Sequence, residues 1–193
     1  MKNLFDVSGK VALVTGGSRG IGEMIAEGFV ANGVKTYISA RKADACDATA
    51  ARLSETGECI SVPADLSSAE GIAALVDEIK GREDKLDILV NNAGAAWGEP
   101  IETFPETAWD KVMTINVKSP FFLTQALLPL LENAASADDP ARVIMVGSID
   151  GINVNMMPTL NALPLLSWVH AQSFRGEQVL PTQLPFCIRV LAT

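Results

Sequence analysis

One stretch, VALVTGGSRGIGEMIA at residues 11–26, constrains the fold more than any other part of the chain. It runs from apolar residues typical of a β-strand, through a turn with glycines at positions 16, 17, 20 and 22, into a segment of helical period. Glycine permits a tight turn and a close approach of the backbone to an anion. The N-terminus of the helix that begins near Ile21 adds unpaired N–H groups and a favourable dipole. The pattern predicts a strand–turn–helix unit that binds a pyrophosphate, unless the glycines serve turn geometry alone.

The chain up to Ser148 continues the same alternation of strand and helix. Five β-rich runs are KVALVTG from residue 10, KTYIS from 35, ECISVP from 58, LDILVNN from 86 and ARVIMVGS from 141. Longer segments of helical period separate them, which predicts an α/β fold built on a doubly wound parallel sheet with helices on both faces. Walker-type phosphate binding is disfavoured, because no Gly-Lys-Ser/Thr follows the turn.

Two helices can be placed between these strands. The first has apolar residues at helical spacing, namely Ile72, Leu75, Val76 and Ile79. Ser67 and Ser68, with Glu70 following, can cap its start. The second is expected over about residues 107–132, followed by a loop over residues 134–140.

Composition and charge exclude several function classes. The chain has 193 residues, 48% of them hydrophobic, which suits one domain with one substantial core. A net charge of −8 without a basic run disfavours nucleic acid as a partner. The first ten residues lack a signal-peptide core and no apolar run reaches membrane-spanning length, so a soluble, cytoplasmic protein without a membrane partner is expected. Cys46, Cys59 and Cys187 are widely spaced, which predicts free buried thiols and neither disulfide nor metal site.

The end of the second β-run predicts which dinucleotide is bound. A fold that prefers NAD places an Asp or Glu there to hold the ribose 2′-hydroxyl. This chain has Ser39, Ala40, Arg41 and Lys42 instead, with Arg19 inside the glycine turn. Cations at these positions attract a 2′-phosphate, which favours NADP(H) over NAD. The alternative is that Arg41 and Lys42 only begin a solvated helix.

Five motifs in register carry a family resemblance. They are TGGSRGIG from residue 15, ADLSS with Asp65, NNAG at 91–94, INVKSP with Asn116 and VIMVGSIDG with Ser148. Their order and spacing resemble the short-chain dehydrogenase/reductase family, in particular reductases of the 3-oxoacyl-carrier-protein type and their relatives in rhamnolipid synthesis. The resemblance implies a Rossmann-type fold, here incomplete at the C-terminal strands, and a small-molecule carbonyl or hydroxyl substrate such as an acyl thioester. Family members commonly pair through helices flanking the fifth strand, so a homo-oligomer stays open.

The resemblance also implies roles for individual residues. The cofactor-binding set would be Gly16, Ser18, Arg19, Gly20, Ile21, Gly22, Arg41, Asp65, Leu66, Asn92, Ala93 and Gly94. Within it, the turn residues contact the phosphates, Arg41 the 2′-phosphate, Asp65 and Leu66 the adenine, and residues 92–94 the ribose. Asn91 and Asn92 could instead only terminate a strand through their own hydrogen bonds.

The catalytic residues are only half present. By resemblance, Ser148 polarises the carbonyl and Asn116 organises a water relay, and an Asn between Ile115 and Val117 is costly unless it has hydrogen-bond partners. The family's Tyr-x-x-x-Lys pair is absent. Tyr37 is the only tyrosine and Lys118 the last lysine. Neither His170, the only histidine, nor Ser167 is fixed beside Ser148 by any sequence feature.

These observations predict two regions and leave three functional interpretations. Residues 1–157 form the NADP-binding domain, and residues 158–193, interrupted by four prolines, form an atypical tail with no evident long helix or paired strand. The chain is an NADP-dependent oxidoreductase impaired in catalysis, a non-catalytic NADP-binding or partner-docking form, or an unstable fragment. A methyltransferase is disfavoured, since it would want an acidic residue after the second strand.

Overall fold

The computed structural model describes residues 6–147 and 172–174. The strands are β1 (Val11–Thr15), β2 (Lys35–Ser39), β3 (Cys59–Ser61), β4 (Ile88–Asn91), β5 (Ala141–Met145) and β6 (Gln172–Phe174). The helices are α1 (Gly20–Ala31), α2 (Ala43–Leu53), α3 (Ala69–Arg82), α4 (Glu106–Met113) and α5 (Ser119–Ala134). A 3₁₀ turn (Ile101–Thr103) precedes α4, and a π-helical turn (Thr114–Lys118) joins α4 to α5.

Within the described residues the strands form one sheet in the order β3-β2-β1-β4-β5-β6. The first five strands are parallel, which confirms the predicted doubly wound fold. The chain order reverses at β1, whose Val14 pairs with Ile38 of β2 on one side and with Val90 of β4 on the other. In such sheets ligands bind in the crevice at the carboxyl ends of the strands beside this reversal. The glycine turn follows β1 at that point.

Alternation along the strands builds a separate apolar core on each face of the sheet. Leu13, Tyr37 and Leu89 belong to the face covered by α3 and α5. Val14 and Ile38 belong to the opposite face, which α1 and α2 cover. Because both faces are buried, the strands read as continuous apolar runs, as parallel strands generally do.

The predicted helices are confirmed with small changes. Ser68 caps α3, since its hydroxyl accepts a hydrogen bond from the N–H of Gly71 at 3.0 Å. Ser67 instead hydrogen-bonds the carboxylate of Asp65. The helix predicted over 107–132 covers α4, the π-helical turn and α5.

The tail departs from its prediction at one place. No paired strand was expected after residue 157, yet β6 pairs antiparallel with β5, with Arg142 opposite Ser173. Without β6 the outer edge of β5 would present unpaired N–H and C=O groups, and an edge of this kind can pair with an extended segment that reaches it. The rest of residues 158–193 lies outside the described residues, as does Cys187. Cys46 and Cys59 are free and buried.

Candidate functional site

The glycine turn between β1 and α1 has the geometry of an anion cradle. Gly16 and Gly20 have φ angles of +67° and +58°, a region that favours glycine. A Cβ on Gly22 would overlap the carbonyl oxygen of Gly16 and the side-chain amide nitrogen of Asn92. A side chain therefore cannot be placed there without moving the backbone. At Gly20 a Cβ would meet nothing within 4 Å. The turn is therefore closely packed at Gly22, on the side of Asn92, and open at Gly20. At this open end the first N–H groups of α1 lack intrahelical partners.

Two polar side chains join this turn to the end of β4. The Thr15 hydroxyl, 1% exposed, accepts hydrogen bonds from the N–H groups of Asn92 and Ala93, both at 3.0 Å. The same hydroxyl donates to the carbonyl of Val90 at 3.2 Å. The Asn92 side-chain amide donates to the carbonyl of Thr15 at 2.9 Å and to that of Gly16 at 3.3 Å. The NNAG segment and the glycine turn are thus one hydrogen-bonded unit.

The end of β2 is attached to the same unit. The N–H groups of Gly16 and Gly17 donate to the carbonyl of Ser39 at 2.7 and 3.2 Å. Arg41 and Lys42 follow directly and are exposed. This places both cations at the carboxyl end of β2, next to the glycine turn.

Asp65 lies on the same side as Arg41. Its carboxylate accepts hydrogen bonds from the N–H and hydroxyl of Ser67, at 3.0 and 2.7 Å. These bonds, helped by the charge of Arg41, hold the pKa of Asp65 below its usual value. Leu66 follows and is buried. The structure thus brings Arg41 and the Asp65–Leu66 segment to one edge of the sheet.

The loop after β4 is held by Asn116 in the π-helical turn. The Asn116 side chain donates to the carbonyl of Ala95 at 2.8 Å and accepts from the N–H of Ala95 at 2.9 Å. Gly94 lies against the same amide, whose oxygen would be 3.3 Å from a Cβ there. Both polar ends of the Asn116 side chain are therefore occupied by backbone. These two hydrogen bonds offset the free-energy cost of partly burying the Asn116 amide among apolar residues. The π-helical turn that carries Asn116 is a feature that recurs at functional sites.

Three hydroxyls of the site were not singled out by the sequence. They belong to Thr15, Thr49 and Ser119. Thr49 on α2 donates to the carbonyl of Ser18 in the glycine turn at 3.0 Å. Ser119 lies within hydrogen-bonding distance of the carbonyls of Leu66 and, at 2.8 Å, Thr114. Nothing in the sequence singles them out, because Thr and Ser are ordinary residues at these positions; only the fold shows which buried hydroxyls meet the partners that they need.

The remaining predicted residues divide cleanly. Ser18, Arg19 and Ile21 lie on the glycine turn, with Arg19 exposed. Ser148, Ser167 and His170 lie outside the described residues, so the catalytic role that the resemblance implies for Ser148 stays a prediction. Within the part of the chain that the structure describes, no helix is both long and apolar enough to cross a bilayer. The same part contains no cluster of three or more His, Cys, Asp or Glu suited to a metal ion.

A cavity lined by charged residues lies at the amino ends of the strands, opposite to the end that carries the glycine turn. It measures about 260 Å³ and includes Lys10, Asp87 and Asp139 in its lining. The Lys10 ammonium lies 2.6 Å from Asp139 and 3.8 Å from Asp87, so these charges compensate one another. This arrangement fastens the amino ends of the strands and lies far from the glycine turn.

Comparison with known proteins identifies the family. The profile of the short chain dehydrogenase family matches residues 10–160. This chain belongs to that family. It is 47% identical over 185 residues to the rhamnolipids biosynthesis 3-oxoacyl-[acyl-carrier-protein] reductase of Pseudomonas aeruginosa, covering 93% of this chain and 72% of that protein.

Solved structures of short chain dehydrogenases superpose on the described fold. The Pseudomonas aeruginosa RhlG/NADP active-site complex matches with a TM-score of 0.81 and 49% identity, over 85% of this chain and 64% of that one. A metagenomic short-chain oxidoreductase in complex with NADP matches with a TM-score of 0.74 and 31% identity, over 83% of this chain and 72% of that one. The chain thus spans 64% to 72% of the length of these relatives. Members of this family are NAD(P)-dependent oxidoreductases.

Proposed function

We propose that this chain binds NADP(H) at the carboxyl edge of its sheet as a reductase of the 3-oxoacyl type. The observation that carries the proposal is the closed cradle at Gly22, where only hydrogen fits between Gly16 and Asn92. A glycine that allows close packing of the helix on the strand end is part of dinucleotide-binding turns. The cradle also opens toward the N-terminus of a 12-residue helix, which favours an anion.

The choice of NADP(H) over NAD is supported by the charges around the cradle. Arg41 and Lys42 are exposed at the end of β2, and Arg19 is exposed in the turn. The carboxylate of Asp65, which the charge of Arg41 reaches, is held by the Ser67 N–H and hydroxyl. Two relatives of known structure are NADP complexes. A 2′-phosphate is therefore the chemistry that this edge of the sheet matches.

Each element of the site has a binding task. Gly16, Ser18, Gly20 and Ile21 would hold the pyrophosphate, and Arg19 with Arg41 the 2′-phosphate. Asp65 and Leu66 would border the adenine, while Asn92, Ala93 and Gly94 would line the nicotinamide-side ribose. When bound, the dinucleotide supplies a hydride for a carbonyl carbon.

The proton chemistry is where this chain departs from the pattern that the family resemblance implies. Ser148 would donate a hydrogen bond to the substrate oxygen, and Asn116 would hold the loop after β4 beside it. No tyrosine or lysine follows Ser148 in the sequence. We therefore propose that the chain binds the dinucleotide but reduces carbonyls poorly, because general acid catalysis is typically worth about 10²–10⁴ in rate. The substrate class, a small carbonyl compound such as a 3-oxoacyl thioester, is taken from the similar reductase.

Two measurements on one preparation test this proposal. NADPH fluorescence should increase on mixing with the protein, and NADPH should not be consumed when a 3-oxoacyl thioester is added. Consumption well above the protein-free rate would refute the catalytic impairment while leaving the binding site intact. A protein that melts cooperatively yet leaves NADPH fluorescence unchanged would refute the binding site itself.

A further inference from the structure

The second helix on the α1 side of the sheet is fastened to the glycine turn and not only to the sheet. On α2, Cys46, Thr49, Ala50 and Leu53 are buried at helical spacing. Three of these four side chains are apolar and pack in the core. The fourth, Thr49, is 8% exposed, and its hydroxyl donates to the carbonyl of Ser18 at 3.0 Å.

This hydrogen bond fixes the orientation of one peptide unit of the turn. In a planar trans peptide the C=O and the N–H point in opposite directions. Because the Ser18 carbonyl points to α2, the N–H of Arg19 points away from α2. Arg19 is the residue preceding α1, with extended φ and ψ of −167° and 162°, and it is exposed. The Thr49 hydroxyl thereby sets the direction of the peptide that leads into Arg19.

The other cation of the site, Arg41, lies close to the start of the same helix. Arg41 lies two residues before α2, and the Lys42 carbonyl accepts the first backbone hydrogen bond of the helix from Cys46 at 3.0 Å. The Cys46 thiol lies 3.4 Å from the carbonyl of Ile38 in β2. The start of α2 is therefore held against β2, while its middle is held against the glycine turn.

An ion pair between α2 and α1 compensates a carboxylate that would repel an anion bound at the glycine turn. Glu23 lies in the first turn of α1, and Arg52 on α2 forms an ion pair with its carboxylate. The same guanidinium lies 3.7 Å from Glu27. The Arg52 side chain thus reduces the negative potential near the cradle and adds a second link between α2 and α1.

We propose that Thr49 is a positioning residue for the adenosine 2′-phosphate. Its hydroxyl fixes the Ser18–Arg19 peptide relative to α2, so that Arg19 and Arg41, on two different loops, keep a fixed spacing. In this proposal Thr49 acts through the Ser18–Arg19 peptide and not through contact with the coenzyme. This inference rests on the proposed function, because it assigns Thr49 a task only if the site takes NADP(H).

Two valine substitutions separate positioning from stability. Thr49→Val removes the hydroxyl and leaves the shape of the side chain. Thr36→Val is a matched control, since the Thr36 hydroxyl is also buried and donates to a backbone carbonyl, that of Val34, at 3.0 Å at the far end of β2. Thr49→Ser restores the hydroxyl. Thr49→Ala replaces Thr49→Val if the latter does not melt cooperatively, because alanine favours the helix.

Two readouts are needed for these variants: dissociation constants for NADPH and NADH, and amide hydrogen exchange of residues 16–22 without coenzyme. Thr49→Val should weaken the binding of NADPH by about 2- to 10-fold, the range of one hydrogen bond, and change the binding of NADH less. It should also speed exchange in the turn. Thr49→Ser should match the unsubstituted protein in both readouts. Thr36→Val should lower the melting temperature and change neither readout.

The outcomes distinguish the two proposals. If the unsubstituted protein prefers NADPH and Thr49→Val keeps that preference and the exchange rates, the positioning role is refuted and the proposed function stands. An equal loss of preference in Thr36→Val, or no recovery in Thr49→Ser, refutes it as well. If the unsubstituted protein binds neither coenzyme, the proposed function and this inference fail together.

Discussion

At the scale of single residues, the proposed preference for NADP(H) rests on Arg41. Its guanidinium is exposed where a family member that prefers NAD would place a carboxylate. Arg41→Asp should weaken NADPH binding by about 10- to 100-fold, the range of one or two charge-assisted hydrogen bonds. NADH binding should be unchanged or tighter, because the carboxylate can accept from the ribose 2′-hydroxyl.

Calorimetric titration of both coenzymes checks this prediction. Lys80→Asp, at an exposed position late in α3 and at the other edge of the sheet, makes the same change in charge without touching the site. Equal losses for NADPH in the two variants would show that the effect is net charge alone. Unchanged affinities in Arg41→Asp would remove Arg41 from the site.

Tyr37 gives a second prediction at this scale, because it is the only tyrosine of the chain. Burial, reinforced by its 2.5 Å hydrogen bond to Glu83, raises the pKa of Tyr37 to about 12 from the usual 10. A raised pKa means that the folded protein holds the proton more tightly than the unfolded chain does. Stability from this group is therefore complete below about pH 10 and is lost as the pH rises toward 12.

Phenolate absorbance after a rapid pH jump measures this pKa before the protein unfolds. The native protein should titrate near 12 and the urea-unfolded chain near 10, and Tyr37→Phe should abolish the signal in both. A native midpoint near 10 would mean that the phenol is not buried against Glu83.

Some residues of the site could be predicted from sequence and others could not. The glycines, Arg41 and Asn116 stand out because their residue types are unusual at those positions in a strand, a turn or an apolar helix. Thr15 and Thr49 do not stand out, since threonine is ordinary in both places. Their importance comes from which backbone groups they meet across 31 to 78 residues of sequence, a carbonyl for Thr49 and two N–H groups for Thr15. Those contacts are decided by the packing of α2 and β4 on the turn.

At the scale of elements, the glycine turn and α1 have no room for an added side chain at Gly22 but have room for one further along the helix. Gly22→Ala would force a Cβ into the Gly16 carbonyl, so either the turn or Asn92 must move. NADPH binding should weaken by about 10-fold or more, equivalent to at least about 1.4 kcal/mol. Overpacking should also lower the free energy of unfolding by about 1–3 kcal/mol.

Gly28→Ala is the control on the same helix. A Cβ on Gly28 meets nothing within 4 Å, and alanine is the better helix former, so this variant should gain about 0.5–1 kcal/mol in stability and bind NADPH normally. Urea unfolding and NADPH titration of both variants provide the comparison. Normal coenzyme binding by Gly22→Ala would contradict the closed cradle.

The elements themselves followed from the sequence wherever periodicity was strong. The five parallel strands and the Ser68-capped helix are examples, because both faces of the sheet are buried and α3 has a regular apolar stripe. The π-helical turn at Thr114–Lys118 was not foreseen. It depends on Asn116 reaching Ala95 on a separate loop, and no local pattern encodes that contact. The β6 pairing was missed for a similar reason, since three residues carry no periodicity.

At the scale of the whole molecule, the residues proposed for binding and those implied for chemistry are separate in the sequence. The proposed cradle, the cations proposed for the 2′-phosphate and the proposed adenine edge all lie before residue 95, while the proton donors of the family would follow Ser148. Replacing the residues after Ser148 with a family-like segment that carries Tyr-x-x-x-Lys should restore reduction of a 3-oxoacyl thioester. The gain should be about 10²–10⁴ over the unsubstituted chain.

NADPH consumption by the chimera measures this gain. A second chimera with Phe and Met in place of the grafted Tyr and Lys controls for mere completion of the fold. Equal rates in both chimeras would mean that the grafted pair is not the source of activity. A chimera that binds NADPH and remains inactive would place a further defect before residue 149.

The central claim is a dinucleotide cradle at Gly16–Gly22, closed by Asn92 and preferring the 2′-phosphorylated coenzyme. A crystal structure of this chain grown or soaked with NADPH tests it most directly. The pyrophosphate should lie over Gly20 at the N-terminus of α1, with the 2′-phosphate between Arg19 and Arg41. A crystal at saturating NADPH with an empty turn, or with the 2′-phosphate away from both arginines, would contradict it.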